Sequence, residues 1–285
     1  MKLGHTNEEI PPIGFGGMPL STRGRPSEEQ AKKTLHAAID AGLTLIDTAD
    51  VYCIDDDDIG HNERLIASVL RERGDADRIH VATKAGLRRP NGAWTNDGSP
   101  RHIREACEQS LRSLGTDQIW LYQYHAPDER YPFEASVETF SELQREGKCK
   151  YVGLSNVTVD QIERAQKVAD VQSVQNRLNP YFRESVDVAE WCAENGITFL
   201  AYSPLGGGRL TKRLPEFELL RRIAAAHDCS VHAVVLAWVR AVADTVVPIP
   251  AARTVEHAVD SAKSIGVSLA SDENTEIDAA HFDRT

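Results

Sequence analysis

Eight short apolar runs, each followed by a stretch with helical periodicity, are the feature that most restricts the fold of this chain. The runs lie at residues 12–17, 43–47, 78–84, 118–125, 150–156, 171–176, 197–202 and 245–249. Continuous apolar runs are typical of strands buried in a parallel sheet, and a helix between them returns the chain to the next parallel strand. The eight units are similar in length, and no linker interrupts them. They predict one α/β domain over residues 1–285, closed as a single (β/α)8 TIM barrel.

A doubly wound Rossmann sheet is the alternative for a chain of alternating strands and helices. Its fingerprint is incomplete here, because the glycine-rich stretch at 14–19 has Pro19 in the place of the third glycine. The number of units also favours the barrel. Residues 1–11 predict a short N-terminal hairpin or arm, and residues 271–281 predict an appended C-terminal helix.

Charge and cysteine content restrict the partners and the compartment. The chain has 285 residues, of which 41% are hydrophobic and 26% charged, with a net charge of −11. This charge argues against nucleic acid and anionic membranes as partners, and no apolar run reaches membrane-spanning length. The five cysteines are widely spaced without a C-x-x-C pair, and the amino terminus lacks an apolar signal core. We therefore expect a cytoplasmic protein with reduced thiols and no metal site.

Polar residues stand where three successive strands end. Asp47 ends the second run, Lys84 the third and His125 the fourth, while Tyr52 lies in the loop after Asp47. Taken singly, Asp47 is equally well explained as a helix cap and Tyr52 as a loop aromatic. The carboxyl ends of parallel strands share one rim of a barrel, however, so the four side chains are predicted to meet there.

Such a cluster has a recognisable chemistry. A buried ammonium needs a counter-charge, which Asp47 supplies to Lys84. An ammonium beside Tyr52 is expected to lower the pKa of the phenol, and a neutral His125 can donate a hydrogen bond to a carbonyl oxygen. Together the four residues predict a site that polarises a C=O bond and passes it a proton.

At these strand ends the chain resembles the aldo-keto reductase family, and the resemblance extends over nearly its whole length. Each matching motif lies on its expected strand. The motifs are Ile46-Asp47-Thr48-Ala49 with Tyr52, Ala82-Thr83-Lys84, Tyr124-His125, Gly153-Leu154-Ser155-Asn156, Gln175-Asn176, and Ala201-Tyr202-Ser203-Pro204-Leu205-Gly206.

The resemblance implies a TIM-barrel oxidoreductase that reduces aldehydes or ketones to alcohols with NADPH. It implies that Tyr52 is the general acid, that Lys84 and Asp47 tune it, and that His125 orients the carbonyl. It also implies a set of cofactor contacts. These are Ser155, Asn156 and Gln175 on the nicotinamide carboxamide, Tyr202 stacked on the nicotinamide ring, and Ser203, Leu205 and Gly206 along the pyrophosphate.

The loop after the last strand bears on the choice between NADPH and NADH. Many family members carry a lysine where Ala251 stands and an arginine where His257 stands, and these charges hold the 2′-phosphate. Here Arg253 is the only full positive charge before Lys263. We therefore expect NADPH to be preferred through Arg253, with NADH still usable. Asp260 is expected to contact the amino group of the adenine.

Two loop segments near the expected mouth have alternative interpretations. Residues 86–100 form a long polar loop with Trp94 at its centre, which is either a floppy surface loop or a lid that contacts substrate. This loop is similar to that of bacterial family members linked to pyridoxal reduction. The acids at 55–58 are either a solvated run or a field that disfavours carboxylate-bearing substrates.

An enzyme is the preferred interpretation, with a small carbonyl compound as substrate and a monomer or small homo-oligomer as the expected state. A cofactor-bound sensor or binding subunit is the alternative, because the potassium-channel β-subunits have the same barrel and retain the same four residues. Turnover of NADPH with simple aldehydes separates the two.

Overall fold

The main sheet of the protein contains eight parallel strands that close into a barrel. The computed structural model describes residues 1–285. The ten strands are β1 (Phe15–Gly16), β2 (Leu45–Asp47), β3 (His80–Ala85), β4 (Leu87–Arg88), β5 (Thr95–Asn96), β6 (Ile119–Tyr124), β7 (Cys149–Ser155), β8 (Val171–Arg177), β9 (Thr198–Tyr202) and β10 (Val246–Ile249). All except β4 and β5 belong to the main sheet, in the order β1-β2-β3-β6-β7-β8-β9-β10.

Backbone hydrogen bonds join the two edges of this sheet. The amide of Gly14 donates to the carbonyl of Pro248 at 3.0 Å, and the amide of Gly16 donates to the carbonyl of Pro250 at 2.9 Å. Closure removes the exposed strand edges that an open parallel sheet would present. The predicted (β/α)8 barrel is confirmed, and the open Rossmann sheet is excluded.

Helices surround the strands, and the predicted C-terminal helix begins at residue 271 as expected. They are α1 (Glu28–Asp40), α2 (His61–Glu72), α3 (Pro100–Leu114), α4 (Phe133–Arg145), α5 (Val159–Ala165), α6 (Val186–Glu194), α7 (Gly208–Arg213), α8 (Glu218–Ala226), α9 (Val231–Ala241), α10 (Val255–Lys263) and α11 (Ser271–Ala279). The start of α1 is fixed by Ser27, whose hydroxyl accepts the amide of Gln30. None of the helices combines the length and apolar character that crossing a membrane requires.

The N-terminal segment forms the predicted short hairpin. Lys2 pairs with Glu9 in an antiparallel bridge, and the amide of Leu3 donates to the carbonyl of Glu8 at 3.0 Å. Leu3 and Ile10 are buried with residues from inside the barrel. The hairpin therefore closes the end of the barrel from which the strands start.

Alternation along the strands divides the barrel interior into an apolar and a polar layer. The apolar layer contains Leu45, Ala82, Leu121, Leu200 and Val247, all buried in one cluster. Successive side chains of a strand point to opposite faces, so the residue two positions further on also faces inward. Three members of the apolar layer are each followed, two residues later, by a polar residue. These polar residues are Asp47, Lys84 and Gln123.

Two elements were not predicted from the sequence. Within residues 86–100, β4 and β5 pair as a small antiparallel sheet, with Leu87 opposite Asn96 and Arg88 opposite Thr95. This segment is therefore an ordered hairpin and not a floppy loop. The second element is α7, which begins at Gly208 where a glycine-rich loop was expected. Three consecutive glycines, from Gly206 on, have positive φ, and this allows the chain to turn sharply into the helix.

We expect Gly153→Ala to lower the free energy of unfolding by about 1–3 kcal/mol through overpacking. A Cβ at Gly153 would lie 2.4 Å from Oγ of Ser173 and 3.0 Å from Cγ of Gln123, both inside the barrel. Gly74→Ala is the control, because a Cβ there meets nothing within 4 Å. Urea unfolding measures both variants, and equal stabilities would contradict the packing argument.

Candidate active site

Lys84 lies at the centre of a buried polar cluster on the rim where the strands end. Its side chain is fully buried on β3. The ammonium donates to Oδ2 of Asp47 at 2.6 Å, to the backbone carbonyl of Thr48 at 2.8 Å and to the hydroxyl oxygen of Tyr52 at 3.0 Å. An ammonium has three N–H donors, and each of them has an acceptor here. The predicted meeting of Asp47, Lys84 and Tyr52 is thus found in the structure.

Two glutamines hold the other oxygen of Asp47. Nε2 of Gln175 donates to Oδ1 of Asp47 at 2.7 Å, and Nε2 of Gln123 donates to the same oxygen at 3.3 Å. Gln175 also donates to Oε1 of Gln123 at 3.2 Å. The carboxylate is therefore fixed from both sides, and its negative charge stays beside the ammonium of Lys84.

The hydroxyl of Tyr52 accepts a hydrogen bond from Lys84 and keeps its own proton. Burial raises the pKa of this phenol well above its usual value, and the negative charge of Asp47 adds to the effect. The lowering expected from the ammonium is outweighed, because burial disfavours the phenolate more strongly. Burial also lowers the pKa of Lys84, against the opposing pull of Asp47. Tyr52 is consequently a protonated phenol at neutral pH.

His125 lies beside Tyr52 at the end of β6. The two rings meet edge to face with their centroids 5.8 Å apart. Burial lowers the pKa of His125 well below its usual value, and the charge of Lys84 acts in the same direction. Nδ1 is buried without a hydrogen-bond partner in the protein. The imidazole is therefore neutral at physiological pH and carries one N–H that can be donated.

Amide and hydroxyl groups line the ends of β7 and β8. Nδ2 of Asn156 donates to the carbonyl of His125 at 2.9 Å and to Oγ of Ser155 at 3.1 Å. Asn156 has a φ of 59°, an unusual conformation for a residue other than glycine. Gln175 uses its amide nitrogen inside the cluster, which leaves its oxygen as an acceptor. Ser155, Asn156 and Gln175 thus share one rim with the cluster.

The stretch after β9 turns sharply beside the same rim. The hydroxyl of Tyr202 donates to Oδ1 of Asn156 at 2.9 Å, which ties β9 to β7. Ser203 has a φ of 48°, and its carbonyl accepts the amide of Gly206 at 2.9 Å. Leu205 packs against the main core. Tyr202, Ser203, Leu205 and Gly206 therefore form one compact turn.

Arg253 and Asp260 face different neighbours. Arg253 is exposed before α10, and its Nε donates to the carbonyl of Pro19 at 3.3 Å. Asp260 faces α9, where its Oδ2 accepts the hydroxyl of Ser230 at 2.6 Å. Asp260 and Ser230 line a cavity of about 520 Å³ together with Lys263. The structure shows no contact between Arg253 and Asp260.

Trp94 extends over the mouth from the connection between β4 and β5. Its ring meets the ring of Tyr52 edge to face, with centroids 6.4 Å apart, and its side chain is 47% exposed. Beneath it, the guanidinium carbon of Arg89 lies 3.8 Å from the centre of the indole. Trp94 is therefore close enough to contact a molecule bound at Tyr52.

The acidic run at 55–58 is partly engaged in structural contacts. Asp58 forms an ion pair with Arg25 at 2.5 Å, and Oδ1 of Asp56 accepts the amide of Asn91 at 3.1 Å. Asp56 and Asp57 are exposed. The run is thus neither freely solvated throughout nor directed as a whole at Tyr52.

Comparisons with known proteins agree with this geometry. A profile described as the Aldo/keto reductase family matches residues 12–281. The chain belongs to the aldo/keto reductase family.

Solved structures of aldo-keto reductases superpose on almost the entire chain. A glycerol dehydrogenase from Gluconobacter oxydans is 26% identical with a TM-score of 0.84, covering 100% of this chain and 98% of its own. An aldo-keto reductase from Klebsiella pneumoniae, in complex with NADP and acetate, is 28% identical with a TM-score of 0.80, covering 94% and 90%. One from Bacillus halodurans in its holo form is 27% identical with a TM-score of 0.81, covering 100% and 98%. Membership in this family makes the protein an oxidoreductase.

Sequence reasoning missed Gln123 and Thr48 as members of this reductase cluster. Gln123 stands two residues before His125 on the same strand, so strand alternation already pointed its side chain inward. Thr48 contributes only its backbone carbonyl to Lys84, and its side chain donates to Asn62 at 2.6 Å. Every residue has a backbone carbonyl, so no pattern of side chains in the sequence indicates that this one accepts a hydrogen bond from Lys84.

We expect His125 to make the stability of the enzyme fall as the pH is lowered. The unfolded chain protonates this residue near its ordinary pKa of about 6.5, whereas the folded protein keeps it neutral, so acid favours unfolding. Between pH 7.5 and 5.5 this can lower the free energy of unfolding by at most about 1.4 kcal/mol, the limit for a group that stays neutral in the folded protein. Denaturant titrations at both pH values should show a larger loss for wild type than for His125→Asn. Identical pH dependences of the two proteins would refute a neutral buried His125.

Proposed function

We propose that this protein reduces aldehydes or ketones to alcohols with NADPH, using Tyr52 as the general acid. The observation that carries the proposal is the hydrogen bonding of Tyr52. Its oxygen accepts from Lys84 at 3.0 Å, so the phenolic proton is left to be donated elsewhere. The rings of His125 and Trp94 both meet the ring of Tyr52 edge to face.

The residues around Tyr52 account for the proton transfer. The neutral imidazole of His125 and the phenol of Tyr52 both donate hydrogen bonds to the carbonyl oxygen of a substrate, which polarises the C=O bond. When Tyr52 releases its proton to that oxygen, a phenolate forms beside the ammonium of Lys84. Lys84 stabilises this charge, and Asp47 keeps the lysine ionised in a buried setting.

The rim residues suit a nicotinamide cofactor. Bound NADPH would supply the hydride that reduces the carbonyl carbon. The free oxygen of Gln175 and the hydroxyl of Ser155 supply the acceptor and donor that a carboxamide needs, with Asn156 beside them. The flat ring of Tyr202 offers a face for a nicotinamide to stack against. The turn formed by Ser203, Leu205 and Gly206 would follow the pyrophosphate.

The charges near α10 support a preference for NADPH over NADH. Arg253 is exposed and makes only one hydrogen bond, to a backbone carbonyl, so its guanidinium is available to a 2′-phosphate. One oxygen of Asp260 is held by Ser230, and the other remains available to an adenine amino group. Trp94 would pack against the carbonyl substrate.

We expect Tyr52→Phe to lower kcat for carbonyl reduction by about 10²–10⁴-fold while leaving NADPH affinity nearly unchanged. The phenyl ring preserves the packing under Trp94 and removes only the proton donor. Tyr151→Phe is the matched control, because Tyr151 packs at the opposite end of the barrel against Trp120. Steady-state reduction and NADPH fluorescence are measured together.

Two outcomes would contradict this assignment. Near-normal turnover by Tyr52→Phe would show that another group supplies the proton. Tight NADPH binding without turnover of any aldehyde by wild type would favour the cofactor-bound sensor instead of the enzyme.

We expect Arg253→Ala to weaken NADPH binding by about 1.5–3 kcal/mol and NADH binding by much less, because only NADPH offers a phosphate for a charge-assisted hydrogen bond. Lys263→Ala is the comparison, since Lys263 is the next cation on α10. Dissociation constants of both cofactors are measured for each variant. An unchanged NADPH-to-NADH ratio in Arg253→Ala would place the phosphate elsewhere.

A further inference from the structure

Arg89 is a buried cation with most of its donors unused. Arg89 directly follows β4 in the chain and is 5% exposed. Nη2 donates to the carbonyls of Cys53 at 3.2 Å and Ile54 at 2.8 Å. Nε and Nη1 are buried without a hydrogen-bond partner in the protein. A guanidinium has five N–H donors, so three of them lack an acceptor.

The charge of Arg89 is also uncompensated. Arg88, its exposed neighbour, forms an ion pair with Asp97 at 2.5 Å, whereas Arg89 has no carboxylate within 4.0 Å. Buried cations are ordinarily paired, because leaving water without a counter-charge is costly. The nearby Asp58 does not serve this purpose, since it is paired with Arg25.

The position of this unpaired cation links it to the reaction centre. The indole of Trp94 lies 3.8 Å from the guanidinium carbon and also meets the ring of Tyr52 edge to face. The same guanidinium donates to the carbonyls of Cys53 and Ile54, the two residues that directly follow Tyr52. Trp94 covers the guanidinium and is itself 47% exposed, so an anion reaches Arg89 only if the Trp94 side chain moves.

We infer that the substrate carries an anionic oxygen group, a carboxylate or a phosphate, which pairs with Arg89 while the carbonyl reaches Tyr52. This inference rests on the proposed reductase function and names its substrate class. It also reverses the preference for neutral or cationic substrates that the acidic run suggested. The buried guanidinium contacts Trp94, which meets Tyr52, whereas Asp56 accepts the amide of Asn91. Charge-assisted pairing also strengthens with burial.

The first test compares wild-type kcat/KM for two matched pairs of aldehydes. 4-Carboxybenzaldehyde is compared with its neutral methyl ester, and glyceraldehyde 3-phosphate with glyceraldehyde. The anionic member of at least one pair should be preferred by about tenfold or more, and the pair that responds distinguishes carboxylate from phosphate. Ratios of one or below in both pairs would overturn the inference.

The second test replaces the guanidinium. Arg89→Gln should lower kcat/KM for the preferred anionic aldehyde by about 10- to 100-fold and change that of its neutral partner by less than about threefold. Arg88→Gln, on the same loop, should leave both unchanged. Equal losses for both aldehydes would mean that Arg89 only supports the loop, and would overturn the inference.

Two further measurements separate the role of Arg89 from a folding defect and from the proposed reductase function. If Arg89→Gln does not fold, Arg89→Lys retains the charge and should keep part of the preference, whereas complete retention of the wild-type ratio would count against a specific guanidinium contact. Reduction of the neutral aldehydes and its loss in Tyr52→Phe test the proposed function alone. Tyr52-dependent turnover without an anion preference would refute the inference and leave the reductase proposal standing.

Discussion

The buried ammonium of Lys84 is the interaction on which the arrangement of the site depends. Removing a charge from water costs several kcal/mol even after the protein relaxes, and hydrogen bonds to every donor offset much of this cost. Lys84 forms these bonds with one carboxylate, one backbone carbonyl and one phenol oxygen. The same three contacts fix the positions of Asp47 and Tyr52. The contacts that satisfy the charge therefore also orient the acid, and they come from β2, β3 and the connection between them.

The location of this charge follows from the apolar layer below it. Leu45, Ala82 and Leu121 fill the barrel, and the next inward positions on the same strands carry Asp47, Lys84 and Gln123. The strand ends were predictable because a run of apolar residues that stops at a charge marks where a buried strand leaves the core. The N-terminal hairpin was likewise predicted, although its packing into the barrel end was not.

What the sequence could not predict depends on contacts between distant segments. Burial raises the pKa of Tyr52 and the charge of Asp47 adds to the effect, and because burial depends on segments distant in sequence the expected direction was wrong. The β4–β5 pairing and α7 come from short polar, glycine-containing stretches that have little periodicity. The unpaired state of Arg89 is also invisible in the sequence, because it depends on which carboxylates the fold brings near the guanidinium.

Backbone conformation supplies an independent argument that the rim is a built site. Four residues other than glycine have positive φ, and two of them, Asn156 and Ser203, lie just after β7 and just after β9. Such conformations cost about 1–3 kcal/mol each and persist where surrounding contacts enforce them. Those contacts exist here, because Tyr202 donates to the side chain of Asn156 and Asn179 donates to the carbonyl of Ser203 at 2.9 Å. Two residues with strained backbones, joined through Tyr202, border the Lys84 cluster. The fold therefore maintains backbone strain at the rim where a cofactor would bind.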